Sequence, residues 1–399
     1  MTGSKALLTP DRMEEVSALL SSHGVDAWLL YDFHDQNPLA HRLLGLGKTT
    51  RQAFALFPRR GHPILLRHAI EASPWSRWPW ESREYHGWRE LIQGLRDLLS
   101  SLEVVAMEVS ENGAIPAVDR VPLGVVDMVR ATGVSVTSSM NLVTAFHARW
   151  SNEGLKLHRV AAEVVRAIAL VAFQKAAEAA SGRTPILEVE LMEWIRTELR
   201  ANGLTDQEDC IVAGGEHSSD AHYEPVGHGA PLEEGSVVLI DLWGRHPDGG
   251  IHADQTWMGF LGQRPSDRLV EVWSAVREAR DAALGFLSGR AAKGESVRGW
   301  EVDEVARRTL ARRELDLYFI HRLGHSIDRD LHGSGPNLDD LETREERRLL
   351  PGVGFSVEPG VYIPGELGVR SEVNVHWGAD GPEVTPQEIQ DELLLSTET

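Results

Sequence analysis

Residues 354–360 read GFSVEPG, an apolar strand that runs directly into an acid and a Pro-Gly pair. Pro359 holds the preceding residue extended and has no N–H to continue a hydrogen-bonded ladder, so the predicted strand ends at Glu358. A carboxylate at the end of a core strand is partly buried, and burying a lone carboxylate is expensive. Glu358 therefore requires a positively charged or hydrogen-bonding partner from elsewhere in the chain. The fold must be one that brings such a partner to the end of this strand.

Two further acids lie in or directly after predicted strands. Residues 237–240 read VVLI, a β-branched core strand that ends in Asp241. A second strand, 252–260, contains Asp254, and the alternation of side chains places this acid on one face. Acids from neighbouring strands can chelate a cation. The alternative is that both acids are turn residues around a hairpin at 249–250, and the pair taken alone fits that interpretation better.

Three histidines, His321, His325 and His332, lie within twelve positions. Neutral imidazole is a common metal ligand and proton carrier. The chain contains 17 histidines, so a chance cluster on a surface loop is the alternative.

Residues 368–375 read GVRSEVNV and are predicted to form one strand with Arg370 and Glu372 on the same face. A salt-bridged surface strand is the alternative. Taken together, the four segments offer four carboxylates, and two divalent cations would balance their charge and offset the desolvation cost. The sequence has no HExxH, GxSxG, P-loop or Rossmann glycine fingerprint that would favour other chemistry.

The chain is predicted to form two domains, residues 1–147 and 148–399. The first alternates helices with strands, which indicates a small α/β domain; its predicted helices are 10–24 and 88–99, and its strands are 27–31, 53–57, 63–67 and 103–109. The second combines amphipathic helices with hairpin-like strands, which indicates an α+β domain; the helices are 154–180, 187–201, 267–287 and 301–313, and the strands are 236–242, 252–260, 354–357 and 368–375.

Composition limits the partners and the compartment. The formal net charge of -20 would repel phosphates and anionic lipid, so neither nucleic acid nor a membrane is expected as a partner. Cys210 is the single cysteine, which excludes an intrachain disulfide and fits a reducing compartment. The first 15 residues contain no apolar signal segment, so a cytoplasmic location is expected.

The order of these motifs resembles that of the pita-bread metallopeptidases, the family of prolidase, Xaa-Pro aminopeptidase, methionine aminopeptidase and creatinase. The resemblance covers most of residues 150–385, with a weaker creatinase-like α/β domain before it. It implies a C-terminal pita-bread domain that binds two divalent metal ions through five ligands, namely Asp241, Asp254, His325, Glu358 and Glu372.

The proline-specific branch of this family adds three histidines, and each has a counterpart here. His222 precedes a tyrosine, His321 lies four residues before the metal histidine, and His332 lies seven after it. The resemblance implies that His222 and His332 assist Glu358 in catalysis by hydrogen-bonding the developing oxyanion, and that His321 shapes a proline pocket. Arg370, two residues before the last ligand, is expected to hold a substrate carboxylate.

These features imply a prolidase, an Xaa-Pro dipeptidase of the omega peptidase class that cleaves short proline-containing peptides. Manganese is favoured over cobalt, zinc or iron, and the resemblance implies a homodimer. The alternatives are an Xaa-Pro aminopeptidase acting on longer peptides, a non-peptidase hydrolase or lyase on the same fold, and a catalytically inactive binding module.

Three departures from the family pattern bear on substrate preference. Asp241 and Asp254 are 13 positions apart, two more than is usual, and the inserted stretch 245–250 is expected to reach over the site. Gly333 stands where an acid usually follows the third histidine, and Trp257 stands where an arginine is usual. None of these departures removes a ligand.

Overall fold

The computed structural model describes residues 5–182 and 184–396, with the backbone alone at 205–208. The chain divides into two compact units, Met1–His147 and Ala148–Thr399. Residues 1–4, which belong to the stretch without a signal segment, lie outside the described residues. Within the described ranges, every helix falls short of the combined length and apolar character that crossing a membrane demands.

The first unit contains a six-stranded mixed sheet with the order β4-β3-β2-β1-β5-β6. Its strands are β1 (Ala27–Asp32), β2 (Ala53–Pro58), β3 (Ile64–His68), β4 (Glu81–Tyr85), β5 (Val104–Met107) and β6 (Ser135–Ser138). Its helices are α1 (Met13–Ser22), α2 (Pro38–Leu44), α3 (Trp88–Leu99), α4 (Leu123–Arg130) and α5 (Met140–Phe146). β1 is antiparallel to β2 and parallel to β5, and all six of its residues are buried.

The predicted strands of this unit are present, each displaced by no more than two residues at an end. The structure adds two edge strands, β4 and β6, that the sequence analysis missed. β4 reads ESREY and exposes most of its side chains, so it carries no apolar alternation by which it would be recognised. Pairing with β3, which is parallel to it, is what makes this segment a strand.

A buried carboxylate, Glu108, lies in the core of the first unit. Its oxygens accept hydrogen bonds from Trp28 Nε1 at 2.7 Å, Ser139 Oγ at 3.0 Å and Asn37 Nδ2 at 3.1 Å. Burial outweighs these hydrogen bonds and raises the pKa of Glu108 to about 7. The folded unit therefore keeps a proton on Glu108 at pH values where the unfolded chain has released it.

Glu108 should make the first unit less stable as pH rises from about 5 to 7. The folded pKa lies above the usual 4.5, so the stabilisation is complete below 4.5 and is lost as pH approaches 7, a change of about 3 kcal/mol. Glu108→Gln cannot titrate, so its urea midpoint should fall less steeply over this range than that of the wild type. The amide nitrogen of Gln would face Asn37 Nδ2, so the variant should also be less stable at pH 5. Equal pH slopes in the two proteins would contradict the prediction.

The second unit holds four α-helices and ten strands within the described residues. The helices are α6 (Asn152–Ser181), α7 (Glu188–Ala201), α8 (Asp267–Ala292) and α9 (Gly299–Ala311). The strands are β7 (Thr205–Gly214), β8 (Val237–Arg245), β9 (Ala253–Phe260), β10 (Ser326–Ile327), β11 (Val353–Val357), β12 (Gly360–Ile363), β13 (Leu367–Arg370), β14 (Val373–Gly378), β15 (Gly381–Thr385) and β16 (Leu394–Leu395). They form three sheets with the orders β16-β9-β8-β7, β10-β11-β14-β15 and β12-β13.

The long helices of this unit cover its sheets. Buried residues of α6 and α7 pack on β8 and β9 in one core, and α8 and α9 pack with β11 to β14 in another. Gly259 allows the close approach of α6, because a Cβ at this position would lie 2.0 Å from Phe173 Cε2.

The single strand predicted over 368–375 is wrong, because the structure divides it into β13 and β14. β13 pairs with β12, whereas β14 pairs with β11, and the two ladders belong to different sheets. Glu358-Pro359 interrupts β11 and β12 at the same level at which Ser371-Glu372 interrupts β13 and β14. Pro359 has no N–H to donate, so the ladder cannot continue there. Both segments of the chain, β11–β12 and β13–β14, pass from one sheet to the other at this break.

Candidate metal centre

The hairpin of β8 and β9 supplies two acids on one face. Asp241 lies opposite Thr256 and Trp243 lies opposite Asp254, so all four side chains point to the same side of the sheet. Asp241 and Asp254 are 7% and 5% exposed. The interpretation of these acids as turn residues is wrong, since Asp241 lies within β8, Asp254 lies within β9, and the turn is formed by the residues between the two strands.

A second pair of side chains comes from β11 and the segment before β10. The backbone of Leu323–His325 runs beside 356–358, with Ser356 N–H donating to His325 O at 2.9 Å and Glu358 N–H to Leu323 O at 2.8 Å. His325 Nε2 lies 3.3 Å from Asp254 Oδ2 and 3.5 Å from Glu358 Oε1. Nδ1 of His325 faces the Ser326 carbonyl at 3.1 Å, where only a donor fits. The neutral ring would thus present Nε2 as the electron-pair donor.

Glu372, which lies between β13 and β14, joins Asp241, Asp254, His325 and Glu358. Glu372 is 4% exposed, and its Oε2 accepts a hydrogen bond from Thr256 Oγ1 at 2.8 Å. One ligand atom from each of Asp254, His325 and Glu372 lies within 4.8 Å of the others. Asn374 fixes the backbone beneath them, because its side-chain amide exchanges hydrogen bonds with the N–H and carbonyl of Asp254 at 2.9 and 2.7 Å.

One cavity of about 310 Å³ is lined by all the predicted site residues: the five ligands, the three histidines and Arg370. Ile211, Trp243 and Leu331 contribute apolar surface to the same cavity. Residues that lie as far apart in the sequence as Ile211 and Glu372 thus line the same cavity. The surface-histidine alternative fails for His321 and His325, since both side chains face this cavity from within the unit.

Three of the four carboxylates lie in surroundings that disfavour their ionised form and raise their pKa values. Burial, with the neighbouring acids, raises the pKa of Asp241 to about 7 although Arg370 opposes the rise. Burial also raises the pKa of Asp254 and, most strongly, that of Glu372. In the part of the chain that the structure describes, Asp241 Oδ1, Asp254 Oδ1 and Glu372 Oε1 are buried without a hydrogen-bond partner. Such oxygens are what a site for a cation requires.

Glu358 differs from the other three acids. Burial would raise its pKa, but the positive charges of His325 and Arg370, with a hydrogen bond from Ser356 Oγ at 3.0 Å, outweigh burial and lower it. Glu358 is therefore the ionised carboxylate of the group and the one suited to accept a proton.

The three additional histidines are arranged differently. His321 Nδ1 donates to the Arg322 carbonyl at 2.7 Å and its Nε2 lies 2.9 Å from Tyr362 Oη. His332 packs its ring against that of His325 with centroids 4.4 Å apart. Burial lowers the pKa of His321 to about 4, and desolvation of the ring lowers that of His332 to about 4 although this residue is exposed at the cavity edge, so both are neutral at pH 7. His222 is exposed and contributes to the edge of the cavity.

Arg370 is 3% exposed and donates to groups of the protein itself. Nε donates to Thr256 Oγ1 at 2.8 Å, one terminal nitrogen donates to Asp241 Oδ2, and the other lies 3.3 Å from Tyr362 Oη. The surface salt-bridge alternative is wrong for this residue. Its predicted contact with a substrate carboxylate would require these buried contacts to break.

The inserted stretch 245–250 does not reach over the site. It forms a compact turn in which Gly250 N–H donates to the His246 carbonyl at 3.0 Å, and none of its described residues lines the cavity. A Cβ on Gly250 would lie 2.8 Å from that carbonyl oxygen, so the tight turn depends on glycine. β8 continues past Trp243 to Arg245, and the turn follows at the end of the hairpin.

Sequence reasoning missed several residues that support the site. Tyr362 links His321 to Arg370, Thr256 links Arg370 to Glu372, and Ser356 donates to Glu358. Thr256 and Ser356 lie two residues from predicted ligands, and strand alternation places Thr256 on the face of Asp254 and Ser356 on the face of Glu358, although neither was assigned a role. Tyr362 has no comparable local signal.

Comparison with known proteins relates this chain to a family of peptidases. Residues 156–377 match the model of metallopeptidase family M24. The chain is 32% identical over 203 residues to a probable dipeptidase PepE of Mycobacterium bovis, covering 50% of this chain and 49% of that protein. It is 34% identical over 164 residues to an Xaa-Pro dipeptidase of Lactobacillus helveticus, covering 41% and 40%. The matches thus span about half or less of the length of these curated relatives.

A solved structure extends the likeness in fold to nearly the whole chain. The crystal structure of dipeptidase PepE from Mycobacterium ulcerans superposes with a TM-score of 0.72 at 22% identity, covering 96% of this chain and 97% of that one. The predicted α+β class, with a pita-bread domain after a smaller α/β domain, is confirmed. The chain belongs to metallopeptidase family M24.

Proposed function

We propose that this protein is a two-metal Xaa-Pro dipeptidase that hydrolyses the bond before a C-terminal proline. The observation that carries the proposal is the convergence of four buried carboxylates and His325 on one small cavity, with three carboxylate oxygens left without partners. The names of the relatives, a probable dipeptidase and an Xaa-Pro dipeptidase, support the same reaction.

The residues present fit two divalent cations. Asp241, Asp254, His325, Glu358 and Glu372 would hold them, and four carboxylates would balance the four positive charges. Oxygen-rich ligands with one imidazole suit manganese, cobalt, iron or zinc, and we propose manganese as the first metal to test. Bound cations would supply a water nucleophile at neutral pH and polarise the scissile carbonyl.

Glu358 would move the proton in this reaction. It is the carboxylate with the lowered pKa, and Ser356 and His325 hold it at the cavity wall. As an ionised base it would take a proton from the attacking water and deliver it to the leaving proline nitrogen. This delivery is essential because a deprotonated amine is a very poor leaving group, so the proline nitrogen must gain a proton as the bond breaks.

The three additional histidines would orient the substrate and stabilise charge. His332 and His222 would each donate a hydrogen bond to the developing oxyanion through one ring N–H. His321 is fixed between the Arg322 carbonyl and Tyr362, so its ring would form one wall of the proline pocket. Fixed rings at this wall would favour a compact cyclic residue over a flexible one.

The size of the cavity favours a dipeptidase over an aminopeptidase for longer peptides. About 310 Å³ is at the lower limit of ligand pockets and suits two residues. The retained ligand set speaks against an inactive binding module. We further propose that the protein is a cytoplasmic homodimer; the buried Cys210 suits a reducing compartment.

Ala-Pro should be cleaved by the chelator-treated protein only after Mn²⁺ is added, and Ala-Pro-Ala should be cleaved far more slowly. The measurement is proline release, with metal content determined in parallel and with Pro-Ala and Ala-Ala as control substrates. Cleavage of the tripeptide at a similar rate would move the assignment to an aminopeptidase. Bound metal without cleavage of either substrate would exclude the peptidase assignment.

A further inference from the structure

Two arginines line the cavity within the described residues, Arg322 and Arg370, and they differ in availability. A dipeptide substrate carries its carboxylate on the proline, one residue beyond the bond that is cut. The distance from one Cα to the next is about 3.8 Å, so this carboxylate must lie only a few ångströms from the scissile bond. One cationic side chain at the cavity should receive it.

Arg370 is poorly suited to that task. Its guanidinium is buried and already donates to Asp241, Thr256 and Tyr362. Breaking a buried ion pair leaves an uncompensated charge, which costs the equivalent of about 10²- to 10⁴-fold in an equilibrium constant. A substrate carboxylate would have to recover that cost before it gained any affinity.

Arg322 is available at low cost. Its side chain is 25% exposed and one terminal nitrogen donates to Glu342 Oε2 at 3.2 Å, while the Glu342 side chain is 46% exposed. Exposed ion pairs of this kind are worth no more than about fivefold in an equilibrium constant. If the Arg322 side chain moved from Glu342 to a substrate carboxylate, it would exchange one weakly bound negative partner for another. The new partner would lie closer to the scissile bond.

The backbone around Arg322 connects it to the two sides of the proposed reaction centre. His321 Nδ1 donates to the Arg322 carbonyl at 2.7 Å, and Glu358 N–H donates to the Leu323 carbonyl at 2.8 Å. Arg322 thus lies between the histidine of the proline wall and the residue bonded to the proposed base. Its backbone is fixed while its side chain ends at an exchangeable partner.

We infer that Arg322 is a specificity-determining residue that binds the C-terminal carboxylate of an Xaa-Pro dipeptide, with Glu342 as its partner when no substrate is bound. This inference rests on the proposed function and deepens it. A longer peptide would place a neutral amide at the same position, and Glu342 would then retain Arg322. The pair thus selects dipeptides over longer substrates.

The test compares Ala-Pro with its C-terminal amide, which lacks the negative charge. Arg322→Ala should raise KM for Ala-Pro by about 10- to 100-fold, the range for a hydrogen bond to a charged group, with little change in kcat. KM for the amide should change by less than about threefold. Glu342→Gln should act in the opposite direction and lower KM for Ala-Pro by up to about fivefold, because it releases Arg322.

Arg329→Ala is the matched control, since Arg329 is in the same segment but is not among the described residues that line the cavity. Metal content and urea midpoints of all variants should equal those of the wild type. Unchanged KM for Ala-Pro in Arg322→Ala, or equal losses for Ala-Pro and its amide, would overturn the inference and leave the proposed function intact. Failure of the metal-loaded wild type to cleave any Xaa-Pro substrate would remove both.

Discussion

The Glu372→Gln variant should be more stable than the wild type without metal and almost inactive with it. Glu372 is fully enclosed, and burial together with the neighbouring carboxylates raises its pKa well above 4.5. Its Oε1 has no hydrogen-bond partner among the described residues, whereas Oε2 accepts from Thr256, a contact that the Gln carbonyl can keep. The substitution therefore removes the cost of either protonating or ionising this buried carboxylate, and little else.

The sign of the pH dependence follows from the raised pKa. The folded metal-free protein holds the Glu372 proton at pH values where the unfolded chain has lost it, so wild-type stability falls as pH rises above about 4.5. Gln does not titrate. The stability gain of Glu372→Gln should thus be small at pH 5 and larger at pH 8, where a gain of 1 kcal/mol corresponds to about 2–4 °C in Tm.

The loss of function should be large because Gln brings no charge to the cations. Changes outside the ligand set of a metal site cost about 10- to 100-fold in affinity or activity, so the loss of a ligand should exceed 100-fold. The measurements are Tm in chelator from pH 5 to 8, metal content, and cleavage of Ala-Pro. Glu366→Gln is the matched control, because Glu366 is 46% exposed at its side chain. A metal-free variant less stable than the wild type at pH 8 would contradict the prediction.

Arg370→Met should have the opposite effect on the metal-free protein. Arg370 is the cation that faces Asp241, and removing one partner of a buried ion pair costs about 3–5 kcal/mol. The cost should be greatest at pH 8, because Asp241, with its pKa of about 7, is then mostly ionised. For a unit of this size the expected fall in Tm is about 10 °C. Saturating Mn²⁺ should restore most of it, since bound cations replace the missing charge.

Kinetics of Arg370→Met separate two roles for this residue. If Arg370 holds Asp241 in place, kcat should fall equally for Ala-Pro and its amide. A rise in KM confined to Ala-Pro, with metal-free Tm unchanged, would instead support the carboxylate contact that the resemblance implied. Arg268→Met is the control, because Arg268 is 40% exposed and its ion pair with Glu271 should contribute less than about 1 kcal/mol.

Much of the fold was predictable because its elements carry local signals. α6 was predicted within two residues at each end from its apolar period, and α3 was predicted at both ends. β4 was missed because its side chains are exposed and polar, so only its pairing with β3 defines it. The break between β13 and β14 was also missed, because its cause is Pro359 on the opposing strand.

The sequence by itself, through the order of its motifs and their resemblance to a known family, indicated which residues meet at the site. A carboxylate in or beside a core strand needs a partner wherever that strand lies, so Asp241, Asp254, Glu358 and Glu372 each carried this physical requirement. Tertiary structure alone decided how the charges are shared. Arg370 pairs with Asp241 across 129 positions and Asn374 with Asp254 across 120. Partners so distant in sequence are chosen by the packing of the sheets, and for the same reason Arg322 remains at the cavity edge while Arg370 is buried.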